Sequence, residues 1–196
     1  KSDFFFLPCR NEQEVSQTVA DLCARRLPQN MGIRPEQIQV LSPTRKGGVG
    51  TVSLNKLLQG ALNPPSPMKK ERSYGEILFR EGDRVMQIRN NYDIMWKKCD
   101  GSAVGAGVFN GDVGVIKSIE PGLEQLTVVF NDREVDYDFN QLGELEPAFA
   151  MTVHKSQGSE YPFVIIPMYG APLPLLTRNL LYTAVTRARR MVILVG

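Results

Sequence analysis

The feature that most constrains this chain is a change of rhythm in its middle. Up to about residue 65, strand-like and helix-like stretches alternate. DFFFL (3–7) reads as a buried strand. Residues 12–27 carry Val15, Val19, Leu22, Cys23 and Leu27 at helical spacing, with Pro28, Asn30 and Gly32 as the stop. QIQVLSP (37–43) is a second strand. Residues 51–62 form a second helix through Leu54, Leu57, Leu58, Ala61 and Leu62, with Thr51 as its expected N-cap and Asn63-Pro64-Pro65 as its end. From Gly82 to Leu145 the pattern becomes short strands with tight turns: 83–89, 112–119, 126–131 and 133–139, punctuated by Asn110-Gly111 and Asn131-Asp132. Alternation resumes near Glu146. The economical topology is an α/β domain made of residues 1–75 and 146–196, interrupted at 76–145 by a small β-barrel. Residues 94–107 look longer than a barrel loop needs and are expected to form a disordered tip.

Composition narrows the class only a little. The 196 residues, 42% hydrophobic and 22% charged, describe an ordinary globular chain. The chain opens on Lys1 rather than Met, so a longer parent protein is expected. No apolar stretch approaches the ~18–20 residues of a membrane span, and no membrane partner is expected. Cys9, Cys23 and Cys99 are odd in number and far apart, which argues against structural zinc and a disulfide framework and fits a reducing, cytoplasmic setting. His154 is the single histidine, so no metal site is expected. A net charge of +2 does not by itself argue for nucleic acid, and the basic clusters at 69–72, 97–98 and 187–190 are equally well read as solvated faces.

Four places carry residues able to do chemistry. In TVHKSQGSE (152–160), Thr152, His154, Lys155, Ser156 and Gln157 are hydrogen-bonding residues ahead of an apolar strand. Gly158 lets backbone approach a ligand, and Glu160 stands where the strand begins, placed to accept from a sugar hydroxyl. A capped turn between two strands accounts for the same residues. In LYTAVTRARR (181–190), read as helix, Leu180, Ala184, Ala188 and Met191 share an arc and Arg187 falls at its edge. A guanidinium emerging from a packed side needs an anionic partner, whereas Arg189 and Arg190 are explained by a helix C-terminus. SPTRKGGVGT (42–51) lies between strand and helix, where amides can bind phosphate, although a plain connecting turn serves as well. Finally, 90–93, Trp96 and 108–112 put aromatics beside polar turns of the barrel, as base-stacking residues or as hairpin filler. No G-x-x-x-x-G-K-[ST] phosphate loop occurs.

TVHKSQGSEYPFVIIP resembles motif V, and LLYTAVTRAR motif VI, of superfamily-one DNA helicases. The whole chain is similar to the C-terminal part of RecD-like helicases, the relatives of the exodeoxyribonuclease V alpha subunit. DFFF, QVLSPTRKGGVGT, GDRVMQIRNNYD and GVFNGDVGVI match that family in order. The resemblance implies a second RecA-like motor domain of the P-loop NTPase type with an inserted SH3-like barrel. It implies that Arg187 reaches the γ-phosphate of ATP held mainly by an N-terminal motor domain of the same parent chain. It also places Gln157 and Gly158 near that phosphate and Glu160 at the ribose. Thr44, Arg45, Thr152, His154 and Ser156 would hold single-stranded DNA, with Asn90, Asn91 and Tyr92 along its path. ATP and Mg2+ would serve the full-length protein, which moves 5′ to 3′. With Walker A and B absent, the chain alone is expected to hold neither and to hydrolyse nothing. The alternative is a non-enzymatic module binding single-stranded nucleic acid. An RNA-directed or conjugative helicase and a protein-recruiting adaptor are further readings.

Overall fold

The computed structural model describes residues 3–169 and 177–196. In chain order, β1 (Phe4–Leu7) leads into α1 (Glu12–Asp21), a π-turn at Leu22–Arg26 and α2 (Leu27–Met31). β2 (Ile38–Ser42) and α3 (Thr51–Leu62) follow. Then come β3 (Glu71–Tyr74), β4 (Ile77–Arg80), β5 (Arg84–Gln87), β6 (Asn91–Lys98), β7 (Val104–Val108), β8 (Val113–Glu120), β9 (Gln125–Phe130), β10 (Arg133–Asp138) and β11 (Leu145–Pro147). The chain closes with β12 (Ala150–Thr152), β13 (Tyr161–Pro167), α4 (Arg178–Val185) and β14 (Ala188–Val195). Residues 1–64 with 149–196 make one compact unit and 65–148 the other.

The first unit is a parallel five-stranded sheet in the order β1-β14-β13-β2-β12. Ile38, Val40, Phe163, Ile165, Met191 and Ile193 pack on Val15 and Val19 of α1 and on Leu54 and Leu58 of α3. The alternate residues Leu41, Val164, Ile166, Val192 and Leu194 are buried as well. A parallel sheet buried on both faces reads as an unbroken apolar run, which is why FVII and MVILV show no period of two.

The first helix outlasts its expected end. Leu27 N–H reaches back five residues to Leu22 O, and this widened turn lies just ahead of Pro28. Gly32, at φ 64°, ends the run: its N–H bonds Pro28 O at 3.1 Å and Ile33 N–H bonds Leu27 O at 3.3 Å. In α3 the N-cap is Gly50, not Thr51. Thr51 N–H and Val52 N–H donate to the carbonyls of Thr44 (3.1 Å) and Arg45 (3.2 Å), so folded-back backbone does the work expected of a hydroxyl. On the same helix, buried Asn55 treats the sheet edge as a strand would. Its Nδ2 donates to Ala150 O at 2.8 Å and its Oδ1 accepts from Ala150 N at 2.9 Å, closing the outer rim of β12.

The second unit is an antiparallel ladder, β11-β5-β8-β9-β10-β6-β7, with a separate β3–β4 hairpin. Phe79, Ile116, Leu126, Val128, Phe130, Val135 and Tyr137 form its core. The unit begins at Pro65 and ends at Ala148, wider than the expected 76–145. The hairpin explains the earlier start: Phe79 is fully buried in the barrel core, and Arg72 lies 4.1 Å from the Phe139 ring centroid. Residues 94–107 are not a disordered tip. They belong to the β6–β7 hairpin, where Trp96 pairs with Gly105. A Cβ on Gly105 would stand 2.3 Å from the indole, so a glycine is required there, and a glycine-rich strand imitates a loop in sequence.

Behind this hairpin runs a chain of polar contacts. The Tyr137 hydroxyl donates to Gln87 Oε1 (2.7 Å), Gln87 Nε2 donates to Glu144 Oε2 (2.8 Å), and Asn91 Nδ2 donates to both Glu144 oxygens (3.2 and 3.0 Å). Burial pushes the Tyr137 phenol well above the usual tyrosine range.

Asn55→Ala is expected to destabilise the fold by about 2–4 kcal/mol, because it leaves a buried N–H and a buried carbonyl unpaired. Urea unfolding measures this, and a loss under ~1 kcal/mol would mean that β12 is held by its ladder alone. For Tyr137 the folded pKa lies above the unfolded value of about 10, so its contribution is intact below pH ~10 and lost as pH rises further. In an alkaline ultraviolet titration, the Tyr137 phenol is expected to ionise only as the protein unfolds. Ionisation of all six tyrosines in the folded state would contradict that.

Candidate functional site

Two segments predicted to carry chemistry meet where β13 and β14 begin. Tyr161 N–H donates to Arg187 O at 2.8 Å, and Tyr161 pairs with Ala188. α4 stops at Val185 and not after the arginines. Thr186 ends it, its hydroxyl lying 2.9 Å from both Tyr182 O and Thr183 O. The expected helical arc through Ala188 and Met191 is therefore wrong, since both residues lie in β14 between β1 and β13. Tertiary pairing of the apolar MVILV run overrides the helical reading of what precedes it.

Arg187 is half-buried in the turn between α4 and β14. Its Nε donates to Thr183 O (3.3 Å), one terminal nitrogen to Ser159 O (3.3 Å) and the other to Thr186 Oγ1 (3.4 Å). All three contacts are long. The arginine expected to be unexplained by the helix end is thus the one that touches it, while Arg189 and Arg190 lie in β14. Arg190 lies 5.6 Å from the Phe163 ring centroid. Arg189 Nε donates to Glu160 Oε2 at 2.7 Å. Sequence reasoning missed this pair because 187–190 was read as helix, whereas Arg189 lies in β14 beside the start of β13.

Gln157 and Gly158 are exposed, and Gly158 takes φ 83° with open space where a Cβ would stand. The backbone there is free for close approach, as its residue type implied. Arg187, Ser159 and Glu160 therefore form one cluster flanked by Gln157 and Gly158.

The residues expected to grip DNA lie elsewhere on the unit. Thr152 is level with Ser42, while Phe163 is level with Ile38 and Tyr161 two residues lower. At ~3.3 Å per residue, the two groups are roughly 20 Å apart along the strands. Thr44, Arg45, Thr152 and His154 cluster at the C-terminal edge of β2 and β12, joined by Val153 N–H to Ser42 O at 3.1 Å. Arg45 and His154 are exposed, and Thr44 and Thr152 half-buried. Thr44 Oγ1 and Thr152 Oγ1 accept from the amides of Lys46 and Lys155, both at 3.4 Å. Ser156 does not join them: it is fully buried and its hydroxyl donates to Val153 O at 2.6 Å, holding the turn.

The amides of the 42–51 turn are largely engaged within the chain. The amides of Lys46, Gly48, Gly50, Thr51 and Val52 donate to Thr44 Oγ1, Glu12 Oε1, Gly47 O, Thr44 O and Arg45 O. The apolar cavity of about 60 Å3 beneath Leu180, Leu181 and Ala184 is too small for a cofactor, which needs roughly 300 Å3 or more.

On the barrel, Tyr92 is 68% exposed and meets Phe109 edge-on, with ring centroids 5.6 Å apart. Asn90 Nδ2 donates to the Tyr92 hydroxyl at 3.4 Å and its Oδ1 accepts from Asn110 N at 3.0 Å. Asn91 serves structure instead. Its amide nitrogen is bound to Glu144 and its oxygen accepts from the amides of Asp93 (3.1 Å) and Ile94 (3.0 Å). Among the described residues, no helix is long and apolar enough to cross a membrane.

Residues 54–130 match the sequence family described as the ATP-dependent RecD-like DNA helicase SH3 domain, and 147–195 match the UvrD-like helicase C-terminal domain. The chain is similar to the ATP-dependent RecD2 DNA helicase of Deinococcus radiodurans, 37% identical over 155 residues, covering 79% of this chain and 19% of that protein. It is also similar to the RecBCD enzyme subunit RecD of Haemophilus influenzae, 28% identical over 187 residues, covering 92% of this chain and 23% of the relative. The chain thus spans about a fifth of the length of these relatives. Among solved structures, Bacteroides Pif1 bound to single-stranded DNA shares the fold, with a TM-score of 0.52 at 16% identity, covering 93% of this chain and 46% of that one. With a RecA-like α/β unit, an inserted SH3-like barrel and both sequence families present in order, the chain belongs to the RecD-like superfamily-one helicases, as a piece of one.

Proposed function

We propose that this chain is the C-terminal motor part of an ATP-dependent DNA helicase that moves 5′ to 3′. It would grip single-stranded DNA at the C-terminal edge of β2 and β12. It would present Arg187 to the γ-phosphate of ATP bound mainly by an N-terminal motor domain of the same parent chain. The observation that carries this reading is the Arg187–Ser159–Glu160 cluster. A guanidinium held by three long contacts to neutral oxygens has no carboxylate partner to lose, and can be drawn off by a stronger anion.

In that reading ATP is the substrate and Glu160 receives its ribose. Gln157 and the open backbone at Gly158 face the phosphates. Arg187 stabilises charge that develops as the terminal phosphoryl group leaves, the work of an arginine finger. This chain lacks the phosphate-loop lysine, and most amides of its own strand-to-helix turn are already bonded within the chain. Mg2+, bound with ATP, would supply charge neutralisation. Thr152, His154, Thr44 and Arg45 make contacts to the DNA backbone, which carry no sequence information and suit a translocating enzyme. Asn90 and Tyr92 line the path across the barrel. Support for a helicase parent comes from the RecD2 relative, itself an ATP-dependent DNA helicase.

In the full-length protein, Arg187→Ala is expected to lower DNA-stimulated ATP turnover by about 10³-fold or more. Single-stranded DNA affinity, followed by fluorescence anisotropy, should change less than twofold, about 0.4 kcal/mol. Turnover within tenfold of the parent would remove Arg187 from the mechanism. His154→Ala is expected to weaken single-stranded DNA binding by about two- to tenfold, the worth of one hydrogen bond. Unaltered affinity would move the DNA away from the β12 edge.

A further inference from the structure

Beside the Arg187 turn, Arg189 and Glu160 form an ion pair. Arg189 Nε lies 2.7 Å from Glu160 Oε2, and the local backbone explains how it gets there. Tyr161 pairs with Ala188 but Phe163 pairs with Met191, so Arg189 and Arg190 together oppose the single residue Pro162. Pro162 has no N–H to donate, the ladder is interrupted, and an extra residue fits on β14 as a bulge. Such a bulge re-aims side chains. Here Arg190 goes to the Phe163 ring and Arg189 to Glu160.

We infer that Arg189 is the positioning residue for Glu160: it fixes the carboxylate at the mouth of the nucleotide site and offsets its negative charge, so that Glu160 can select for a ribose. The inference rests on the reading of Glu160 given above and adds a determinant of nucleotide specificity to it. A bare carboxylate beside a triphosphate meets like-charge repulsion. A guanidinium bonded to Oε2 removes most of that repulsion and leaves Oε1 to accept from a sugar hydroxyl. The two arginines then divide the work. Arg187, on three contacts of 3.3–3.4 Å to neutral oxygens, is free to move toward phosphate. Arg189, on one short charged contact, stays.

The test compares ATP with 2′,3′-dideoxy-ATP in steady-state hydrolysis by the full-length protein. Arg189→Ala should raise KM for ATP by up to about fivefold, the upper worth of an exposed ion pair. It should leave kcat within about twofold and should raise KM less for the dideoxy nucleotide, whose triphosphate still meets the bared carboxylate but which offers Glu160 no hydroxyl to hold. Arg189→Lys, which keeps the charge, should recover part of the loss. Glu160→Ala should show the same ribose-dependent rise, and the double variant should be no worse than Glu160→Ala alone, because the two act as one unit. Arg189 is 68% exposed on its side chain, so melting curves should match the parent. A ribose-dependent rise for Glu160→Ala with none for Arg189→Ala would overturn the inference and leave the reading of Glu160 standing. No ribose dependence in either variant would overturn both. A large fall in kcat for Arg189→Ala would make it a catalytic residue and overturn the positioning role.

Discussion

The hydrogen bond from Tyr161 N–H to Arg187 O ties together everything of functional interest in the α/β unit. It locks the starts of two central parallel strands side by side, and each strand is preceded by one of the two chemically loaded segments. Ser159 and Glu160 come in on one side, Arg187 and Arg189 on the other. The apolar runs that follow are buried between helices and cannot slide, since a slip of one residue would turn core side chains to the opposite face. The strands therefore fix spatial relations that no local interaction among these exposed groups would hold.

Much of the fold was legible because its signals were local or periodic. The helices at α1 and α3, the strand at β2 and the strands β5, β8, β9 and β10 all fell where spacing and turn residues put them. The misreadings share a cause: the deciding interaction was remote in sequence. RARR followed a good helix and was read as its end, but β14 is recruited as a strand by β1 and β13. Gly105 and its neighbours read as loop, because nothing local reveals that Trp96 needs a gap opposite. β3 was credited to the α/β domain because only its pairing with β4, and Arg72 over the Phe139 ring, tie it to the barrel.

The candidate site was legible in a different way. Residue types identified the segments, but not which side chains are available. Ser156 and Asn91 are polar residues in the right places, and both are consumed by the turn that holds them. Glu160 was singled out without its partner, since the bulge that turns Arg189 toward it depends on Pro162 in another strand. The barrel shows the same division. The Tyr137–Gln87–Glu144 relay ends on Asn91, so an interior phenol is linked to the start of β6, which displays Tyr92.

The amides of the 42–51 turn have one more consequence. A phosphate nest made of backbone is rigid, and an anion seated in one leaves only when the whole turn gives way or exchange is slow. Here most of that donor row is committed to Glu12, Thr44, Arg45 and Gly47, and an anion on the proposed DNA edge would meet rotatable side chains instead. Such contacts are exchanged one rotamer at a time, on the nanosecond scale or faster for exposed groups. A polyanion lying on this edge can be handed along in small increments, without the scaffold having to yield.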